Sequence, residues 1–305
     1  MNCDDCGSRA VVKLRYYGKT MCEGCFSRLL EKRVRKTVRI NKLLPSSGRI
    51  AVALSGGKDS MTVLKLLMDL TSRNPKIEVV TIVIDEGIRG KKKVFNKVSK
   101  YCDKTGVKSH TYSFKEEYGI KLDDIMRKVR DEGVNACTYC GVLRRRLLNT
   151  KAIELGVSRI ATGHNLDDEV QSSFMNFVRG EYDRTSRLGP IVGVVGDERF
   201  VPRIKPLREI PEDEVKLYAR LNRIPIASFD CPHAKGAFRR SVKSMLDTLE
   251  KRHPGSKYQM LNSTDRLIGL LRQDYAGKKM KYCPLCGEPS SGEKCKVCEL
   301  LENLR

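Results

Sequence analysis

The chain has 305 residues, of which 40% are hydrophobic and 31% charged, as in a globular protein with one large core and small appendages or with two domains. No apolar run approaches the roughly 20 residues of a membrane-spanning helix, and the N-terminus lacks the apolar stretch of a signal peptide, so we expect a cytoplasmic protein. The net charge of +22, with basic blocks at 31–42, 89–93, 144–146 and 238–243, favours a nucleic acid partner over a surface that is merely soluble.

The twelve cysteines are unevenly distributed along the chain. In a cytoplasmic protein they favour metal binding or redox chemistry over disulfides. Eight lie in two terminal groups, three lie in the middle region, and Cys102 stands alone.

The N-terminal group contains two CxxC pairs separated by a strand-like piece. Its members are Cys3, Cys6, Cys22 and Cys25. The spacing is that of a tetrahedral Cys₄ zinc site, which would supply folding energy to a segment too short for its own core. We therefore predict a zinc finger over 1–27, followed by a basic linker at 28–48 with a helix over 28–44.

Alternating strands and helices follow in the middle of the chain. Strands are predicted at 50–55, 77–85, 108–114 and 158–164, and helices at 59–72, 91–105, 121–131, 141–156 and 166–180. Such βαβ units form a parallel sheet with helices on both faces. The sequence thus predicts an α/β fold, a doubly wound parallel sheet, within a catalytic domain at 49–230.

The motif SGGKDS, residues 55–60, lies between the first strand and the first helix of this sheet. Ligands of open α/β sheets bind beyond the carboxyl ends of the strands. Glycines let the backbone approach a ligand, and the amides at a helix N-terminus form an anion site, to which Lys58, Ser55 and Ser60 can add donors. The motif resembles the pyrophosphate-binding loop of the PP-loop, or N-type, ATP pyrophosphatases; the alternative is a glycine-rich turn without a ligand.

Two further stretches lie at strand ends. VIDEG (83–87) places backbone groups near Ile84 where they could pair with adenine. ATGHNLDDE (161–169) provides Gly163 for close approach to a nucleotide, and Asp167 and Asp168 at a helix start. These carboxylates could simply cap the helix, or could bind Mg²⁺ on ATP phosphates; beside SGGKDS we favour the Mg²⁺ role for Asp168.

The last part of the chain is helical and ends in a second cysteine group. Helices are predicted at 211–224, 238–251 and 263–275, and a helical region is placed at 231–277. Apolar positions within 245–271 favour a homodimer. A second zinc finger is predicted at 278–305, with the ligands Cys283, Cys286, Cys295 and Cys298.

Cys137, Cys140 and the distant Cys231 allow three interpretations. A zinc site would need a fourth ligand, for which His233 or Cys102 is available. A redox dithiol would use two of the thiols, and an iron–sulfur cluster held by three thiolates would leave one iron open. Spacing does not choose among them.

The combination of these motifs resembles the tRNA 2-thiouridine synthetases, a branch of the PP-loop enzymes that includes the wobble-uridine thiolases of archaea and eukaryotes and the thiolases of the T-loop uridine. The shared features are two terminal CxxC…CxxC groups, SGGKDS, a CxxC beside an arginine-rich helix, TGHNxDD and a distant single cysteine. They extend over essentially the whole chain.

The resemblance implies an activity and a set of site residues. It implies adenylation of the uridine C2 oxygen by ATP and sulfur insertion to give 2-thiouridine at position 34 or 54. It implies a [4Fe–4S] cluster on Cys137, Cys140 and Cys231 whose fourth iron accepts the sulfur, although some relatives use a persulfide. Lys58 and Asp168 match the catalytic lysine and aspartate of the family. The expected ATP-binding residues are Ala53, Ser55, Gly56, Gly57, Lys58, Asp59, Ser60, Ile84, Arg144, Gly163 and Asp168.

The expected cofactors and partners follow from the same resemblance. They are ATP, Mg²⁺, the cluster, two Zn²⁺, tRNA, and a sulfur donor that is either sulfide or a sulfur-carrier protein thiocarboxylate. Arg145 and Arg146 are predicted to contact tRNA. The alternatives are a PP-loop ligase for a small molecule, a tRNA 2-thiocytidine synthetase, and a zinc protein that binds RNA without catalysis.

Overall fold

A six-stranded sheet occupies the middle of the computed structural model. The structure describes residues 1–129, 136–192, 199–227, 229–233, 238–275, 281–290 and 292–304. Its strands are β1 (Val12–Leu14), β2 (Lys19–Met21), β3 (Gly48–Ala53), β4 (Ile77–Asp85), β5 (Ser109–Ser113), β6 (Val157–Ala161), β7 (Ile191–Val192), β8 (Arg203–Ile204), β9 (Lys281–Tyr282) and β10 (Pro289–Ser290). Its helices are α1 (Glu23–Ile40), α2 (Lys58–Thr71), α3 (Lys92–Thr105), α4 (Phe114–Tyr118), α5 (Leu122–Lys128), α6 (Ala136–Glu154), α7 (Leu166–Val178), α8 (Tyr182–Ser186), α9 (Glu212–Leu221), α10 (Phe238–Arg252), α11 (Ser256–Tyr275) and α12 (Lys296–Glu302).

The strand order of the sheet is β5-β4-β3-β6-β8-β7. Strands β5, β4, β3, β6 and β8 are parallel to one another, which confirms the predicted doubly wound α/β fold. The edge strand β7 is antiparallel to β8. Neither β7 nor β8 was predicted, because two residues are too few to show a periodicity.

The chain changes direction in the sheet between β3 and β6. From β3 it moves outward to β4 and β5, and it then returns to the other side of β3 as β6. Ile50, Ala51 and Val52 of β3 are fully buried because helices cover both faces. The carboxyl ends of β3 and β6 therefore border the crevice in which such sheets bind ligands.

Two large cores lie on the opposite faces of the sheet. One joins α1, α2, α3 and α9 through side chains such as Leu30, Leu64 and Tyr218. The other joins α5, α6 and α12 through side chains such as Ile125 and Leu143. A third and smaller core holds α10 and α11 against α7. Among the described helices, none is long and apolar enough to cross a bilayer.

Three predicted helices begin earlier than expected, and one of them, α11, was predicted from residue 263 but starts at Ser256. Helix α1 starts at Glu23 and ends at Ile40, because Cys22 caps it by accepting a hydrogen bond from the Cys25 amide at 3.5 Å. One helix thus spans the predicted boundary at residue 27. Helix α6 was predicted from Gly141 but already starts at Ala136 in the structure.

Candidate active site

The Gly-Gly turn lies between β3 and α2. Gly56 has a φ of +80°, and a Cβ there would lie 2.5 Å from Val94 Cγ1, so its conformation and its packing both require glycine. Gly57 is the N-cap of α2 and has no side chain that could bond the first amides of the helix. These amides can therefore bind an anion.

The other predicted nucleotide contacts from the sheet lie at the same edge. Ala53 is the last residue of β3, and Ile84 is the penultimate residue of β4. Gly163 follows the end of β6. Since the three strands are parallel, their carboxyl ends lie together around the turn.

The two serines of the turn bond to each other. Ser60 Oγ accepts a hydrogen bond from the Ser55 amide at 3.2 Å and donates to Gly57 O at 3.1 Å. The hydroxyls of Ser55 and Ser60 lie 3.1 Å apart. Ser60 therefore fixes the conformation of the turn. Because its own hydroxyl proton is donated to Gly57 O, the hydroxyl proton of Ser55 can be donated to Ser60 Oγ or to a ligand.

Lys58 is held between two carboxylates. Its Nζ donates hydrogen bonds of 2.9 Å to Asp59 Oδ2 and to Glu212 Oε1, and Lys243 donates to the other oxygen of Glu212 at 2.6 Å. Although burial opposes it, the hydrogen bonds from Lys243 and Lys58 lower the pKa of the Glu212 carboxyl to about 2. Glu212 thus remains charged at neutral pH and fixes the ammonium of Lys58 at the start of α2.

Asp59 and Asp168 are joined through one amide. Asn165 Nδ2 donates to Asp59 Oδ1 at 3.0 Å, and Asn165 Oδ1 accepts from the Asp168 amide at 3.1 Å. The Asp168 carboxylate accepts hydrogen bonds from the backbone N–H of Asn165 and, at 3.1 Å, from Arg239. Asp168 was predicted either to cap a helix or to bind Mg²⁺. It does cap α7, and its carboxylate also lies near that of Asp59, as a Mg²⁺ site would require.

Asp167 has a different set of partners. It is buried, accepts a hydrogen bond from the Glu212 amide at 2.7 Å and forms an ion pair with Lys257 of α11. These contacts fix α9 and α11 against the start of α7. The sequence alone did not separate this anchoring role from the role of Asp168.

Gly163 packs against the start of α2. A Cβ at this position would lie 2.8 Å from the Ser60 nitrogen and 2.9 Å from Asp59 Cβ. Gly163 was predicted to allow close approach of a nucleotide. In the structure its missing side chain allows close packing of Asp59 and Ser60 at the start of α2.

Replacing Gly163 with alanine should push the start of α2 away from β6. We expect a loss of roughly 1–3 kcal/mol in the free energy of unfolding and a roughly ten- to hundredfold fall in ATP cleavage, because misplaced phosphate donors lose their alignment. Denaturant titration and an AMP-release assay would measure the two effects.

Gly269 provides the matched control, since a Cβ there would contact nothing within 4 Å. Gly269→Ala, in the middle of α11, should be neutral or slightly stabilising. Equal behaviour of the two variants would contradict this role of Gly163.

The structure brings Cys140 and Cys231 close to one another. They pack against the same core, and burial raises the pKa of the Cys140 thiol, on which the charges of Arg144, Glu86, Lys91 and Cys231 also act. Cys137 is exposed on the first turn of α6. Cys137 and Cys140 thus lie within the basic helix α6. The prediction that both cysteines precede this helix is wrong.

The two side chains considered as a fourth zinc ligand are occupied elsewhere. His233 Nε2 lies 2.7 Å from Asp123 Oδ1, within hydrogen-bond distance. Cys102 is fully buried in the other core, with its Sγ 3.8 Å from Thr81 Oγ1. Among the described residues, the three central sulfurs are also not gathered as closely as one zinc ion requires. These positions favour an iron–sulfur cluster over a zinc ion, because the thiolate ligands of a cluster lie further apart than those of one zinc ion.

Glu86 is a site residue that the sequence reasoning missed. Its carboxylate is buried directly after β4, where it forms an ion pair with Lys91 and lies 3.6 Å from Arg144. It thereby holds two cations beside Cys140. Its position in VIDEG, directly after the carboxyl end of a strand, is the sequence feature that could have identified Glu86 as a site residue. Glu212 and Arg239 were also missed; Arg239 lies in the basic block 238–243, which was interpreted only as a nucleic acid contact.

The three consecutive arginines of α6 point to different neighbours. Arg144 lies beside Glu86, as expected for a residue near the nucleotide. Arg146 donates to Cys286 Sγ at 3.1 Å and lies 3.8 Å from Glu288. The guanidinium of Arg146, predicted to contact tRNA, is therefore directed at the C-terminal cysteine group, and this contact was not anticipated.

Each terminal group gathers four sulfurs. In Cys3, Cys6, Cys22 and Cys25, and again in Cys283, Cys286, Cys295 and Cys298, all Sγ atoms lie within 4.8 Å of one another. Nearest sulfurs are 3.5 Å apart in both groups, too far for a disulfide, and the thiols are free. Tetrahedral Zn–S bonds of about 2.3 Å need sulfurs at such separations.

Two family models match the chain from residue 2 to residue 241. The PP-loop domain model matches residues 29–241, and the model of the N-terminal LIM domain of the 2-thiouridine synthetase TtuA matches residues 2–27.

Individual relatives are similar over comparable lengths. The chain is 35% identical over 319 residues to the tRNA 2-thiolation protein NcsA of Haloferax volcanii, with 100% of this chain and 99% of that protein covered. It is 32% identical to the cytoplasmic tRNA 2-thiolation protein 1 of Caenorhabditis elegans, with 98% and 79% covered. The solved structure of the U34-tRNA thiolase NcsA from Methanococcus maripaludis with its [4Fe-4S] cluster superposes with a TM-score of 0.86 at 34% identity, with 100% and 96% covered.

Proposed function

The chain belongs to the PP-loop family of tRNA 2-thiolation proteins, and on this basis we propose that it is a tRNA-uridine 2-sulfurtransferase. One observation carries the proposal: the phosphate-binding turn and the cysteines meet at one edge of the sheet. The segment that leads to Cys231 bonds to the turn, since the Ala227 amide donates to Gly56 O at 3.0 Å. An activated base bound at the turn would therefore lie near a source of sulfur.

The first step is adenylation of the base. The uridine C2 oxygen attacks the α-phosphate of ATP, an O–P bond forms, and the bond to pyrophosphate breaks. Pyrophosphate leaves toward the amides at the start of α2 and the ammonium of Lys58, which stabilise its charge. Glu212 keeps Lys58 protonated and in place.

The two carboxylates near the turn suit a magnesium ion. Mg²⁺ is usually held by one or two carboxylates together with substrate phosphates, and Asp59 and Asp168 are joined through Asn165 beside the turn. When bound there, the ion would neutralise phosphate charge. Arg239 and Lys58, which pair with these carboxylates in the structure, would then be available to the phosphates.

The second step replaces oxygen by sulfur. Sulfur from a donor at the oxidation level of sulfide forms a bond to C2, the C2–O bond breaks, and AMP leaves with the oxygen. Cys137, Cys140 and Cys231 fit a three-thiolate [4Fe–4S] cluster, because the nearby candidates for a fourth ligand have other partners. The cluster would supply an open iron position for the sulfur. Lys91 and Arg144, fixed by Glu86, would balance the negative charge around it.

Nucleoside analysis tests the activity directly. The anaerobically purified chain is incubated with unmodified tRNA, ATP, Mg²⁺ and sulfide, and the digested tRNA is examined by mass spectrometry. 2-Thiouridine accompanied by AMP release is expected, and mapping would distinguish position 34 from position 54. 2-Thiocytidine would support the alternative of a tRNA 2-thiocytidine synthetase, and RNA binding without AMP release would support the non-catalytic zinc protein.

We propose that each terminal cysteine group binds one structural zinc ion. Elemental analysis should then find about two zinc ions per chain, and Cys22→Ser or Cys295→Ser should lower the count to about one and the melting temperature as well. Cys102→Ser, which changes the one cysteine outside every group, should leave the zinc count unchanged. A zinc content that is indifferent to Cys22 and Cys295 would contradict the assignment.

The assembly and location follow the same family. Exposed apolar side chains on α10 and α11, namely Met245, Leu249 and Leu270, support the expected homodimer, and sedimentation velocity would test it. The name of the Caenorhabditis elegans relative supports a cytoplasmic location. Sulfide and a carrier-protein thiocarboxylate are the donors to compare in the thiolation assay.

A further inference from the structure

A basic cavity lies between α6, β8 and the C-terminal cysteine group. Its volume is about 240 Å³, and its lining includes Arg145, Asn149, Arg203 and Cys295. One water molecule occupies roughly 30 Å³ of liquid, so the cavity has room for a phosphate group together with solvent. None of the steps proposed above uses it.

Two of the lining arginines have no acidic partner among the described residues. Arg203 Nε is buried without a hydrogen-bond partner, and burial together with the charge of Arg145 lowers the pKa of the Arg203 guanidinium to about 10. Burial and the charge of Arg144 also lower the pKa of Arg145. By contrast, the nearby Arg146 has its own partners in Cys286 and Glu288. Two neighbouring guanidinium groups repel each other, and an anion bound between them would relieve this repulsion.

Hydrogen bonds fix the walls around these two arginines. Asn149 Nδ2 donates to Arg199 O at 2.7 Å, and its Oδ1 accepts from the Val201 amide at 3.0 Å, so α6 holds the segment that leads into β8. Arg199 donates to Gly287 O at 3.0 Å, which ties that segment to the C-terminal group. The walls of the cavity are therefore held in place by hydrogen bonds between α6, the segment before β8 and the C-terminal cysteine group.

The side chain of Arg145 lies back along α6. A Cβ at Gly141 would come within 3.1 Å of its Nη1, so the glycine leaves room for the guanidinium. Gly141 directly follows Cys140, so the guanidinium of Arg145 lies close to the turn of α6 that carries this central cysteine. An anion bound here would lie beside the region where the target base must be held.

We propose that this cavity binds a backbone phosphate of the RNA substrate, with Arg145 and Arg203 as its donors. The guanidinium fork matches two phosphate oxygens, and two forks can hold one phosphodiester. The neighbouring surface combines cations with an aromatic ring, as RNA-binding surfaces do: the Arg199 guanidinium lies 4.2 Å from the centre of the half-exposed Tyr282 ring. The choice of RNA as the source of the phosphate rests on the proposed function.

Binding measured without ATP tests the site separately from the reaction. The full-length, metal-loaded chain is titrated with an unmodified tRNA transcript by fluorescence anisotropy at several salt concentrations. Arg145→Met and Arg203→Met should each weaken binding about tenfold and lower the slope of log affinity against log salt by about 1. Arg73→Met, which removes an exposed charge just after α2, on the face of the sheet opposite to α6, should change affinity less than twofold.

Thermal unfolding separates binding from a structural role. Because Arg203→Met removes a half-buried charge that has no acidic partner among the described residues, its melting temperature should equal or exceed that of the unchanged protein. A lower melting temperature together with unchanged tRNA affinity and salt slope would overturn the proposal. Arg145 is more exposed, so Arg145→Met gives an independent measure of affinity in a variant that should fold normally.

Inorganic phosphate distinguishes the two sources of the anion. If millimolar phosphate stabilises the unchanged protein but not Arg203→Met, and both variants bind tRNA normally, the cavity is a small-anion site and the RNA proposal is wrong. Weakened tRNA binding in both variants supports it, even if the unchanged protein makes no thionucleoside. Weakened binding by both variants together with no thionucleoside would reject the proposed function and retain the RNA site. Thiolation by the unchanged protein together with normal tRNA binding by both variants would reject only the site.

Discussion

Replacing Lys58 with alanine is expected to lower the rate of ATP cleavage to AMP by at least about a hundredfold, because the departing pyrophosphate loses its nearest cation. The fold should remain intact, since Glu212 keeps its bond to Lys243 and Asp59 keeps its bond to Asn165. AMP release under single-turnover conditions, with the melting temperature as a check on folding, would measure the effect.

Lys65 provides the matched control on the same helix. It is half-buried and pairs with Asp69 one helical turn further along α2, away from the Gly-Gly turn. Lys65→Ala should therefore cleave ATP at the unchanged rate. If Lys58→Ala did so as well, the assignment of the turn as the pyrophosphate site would be wrong.

Replacing Cys140 with serine is expected to abolish thiolation while ATP cleavage continues. Loss of residues that only support a metal ligand typically lowers activity 10–100-fold, so loss of a ligand should lower thionucleoside formation by more than about a hundredfold. Iron content should fall with it. The amides of α2 and Lys58 do not depend on this thiol, so AMP should still form as the activated base is lost to water.

Cys102→Ser is the control for this experiment, because Cys102 lies in the core on the other face of the sheet. It should retain its iron and its thiolation activity. Thiolation by Cys140→Ser at the unchanged rate would contradict a three-thiolate cluster. A variant that retained iron but had lost thiolation would favour a persulfide on Cys140.

Much of the catalytic framework could be read from short stretches of the chain. A continuously apolar strand, a Gly-Gly turn and a helix predicted β3, α2 and the anion site between them, because their interactions are between residues close in sequence. The spacing of the terminal cysteines likewise predicted two groups whose sulfurs converge. The limits of α6 were less well predicted, since Gly141 resembles a helix boundary and instead leaves space for Arg145 within the helix.

The sequence by itself therefore determined the alternation of strands and helices, the Gly-Gly turn between β3 and α2, and the pairing of cysteines within each terminal group. Only the tertiary structure decided that Glu212 holds Lys58, that Arg239 meets Asp168, that Arg146 contacts a cysteine, and that Arg203 lies beside Arg145 without an acidic partner among the described residues. The reason is physical. Local propensity and periodicity act over a few residues, whereas these side chains come from elements tens of residues or more apart, and their contacts depend on sheet order and helix packing, which no local pattern encodes.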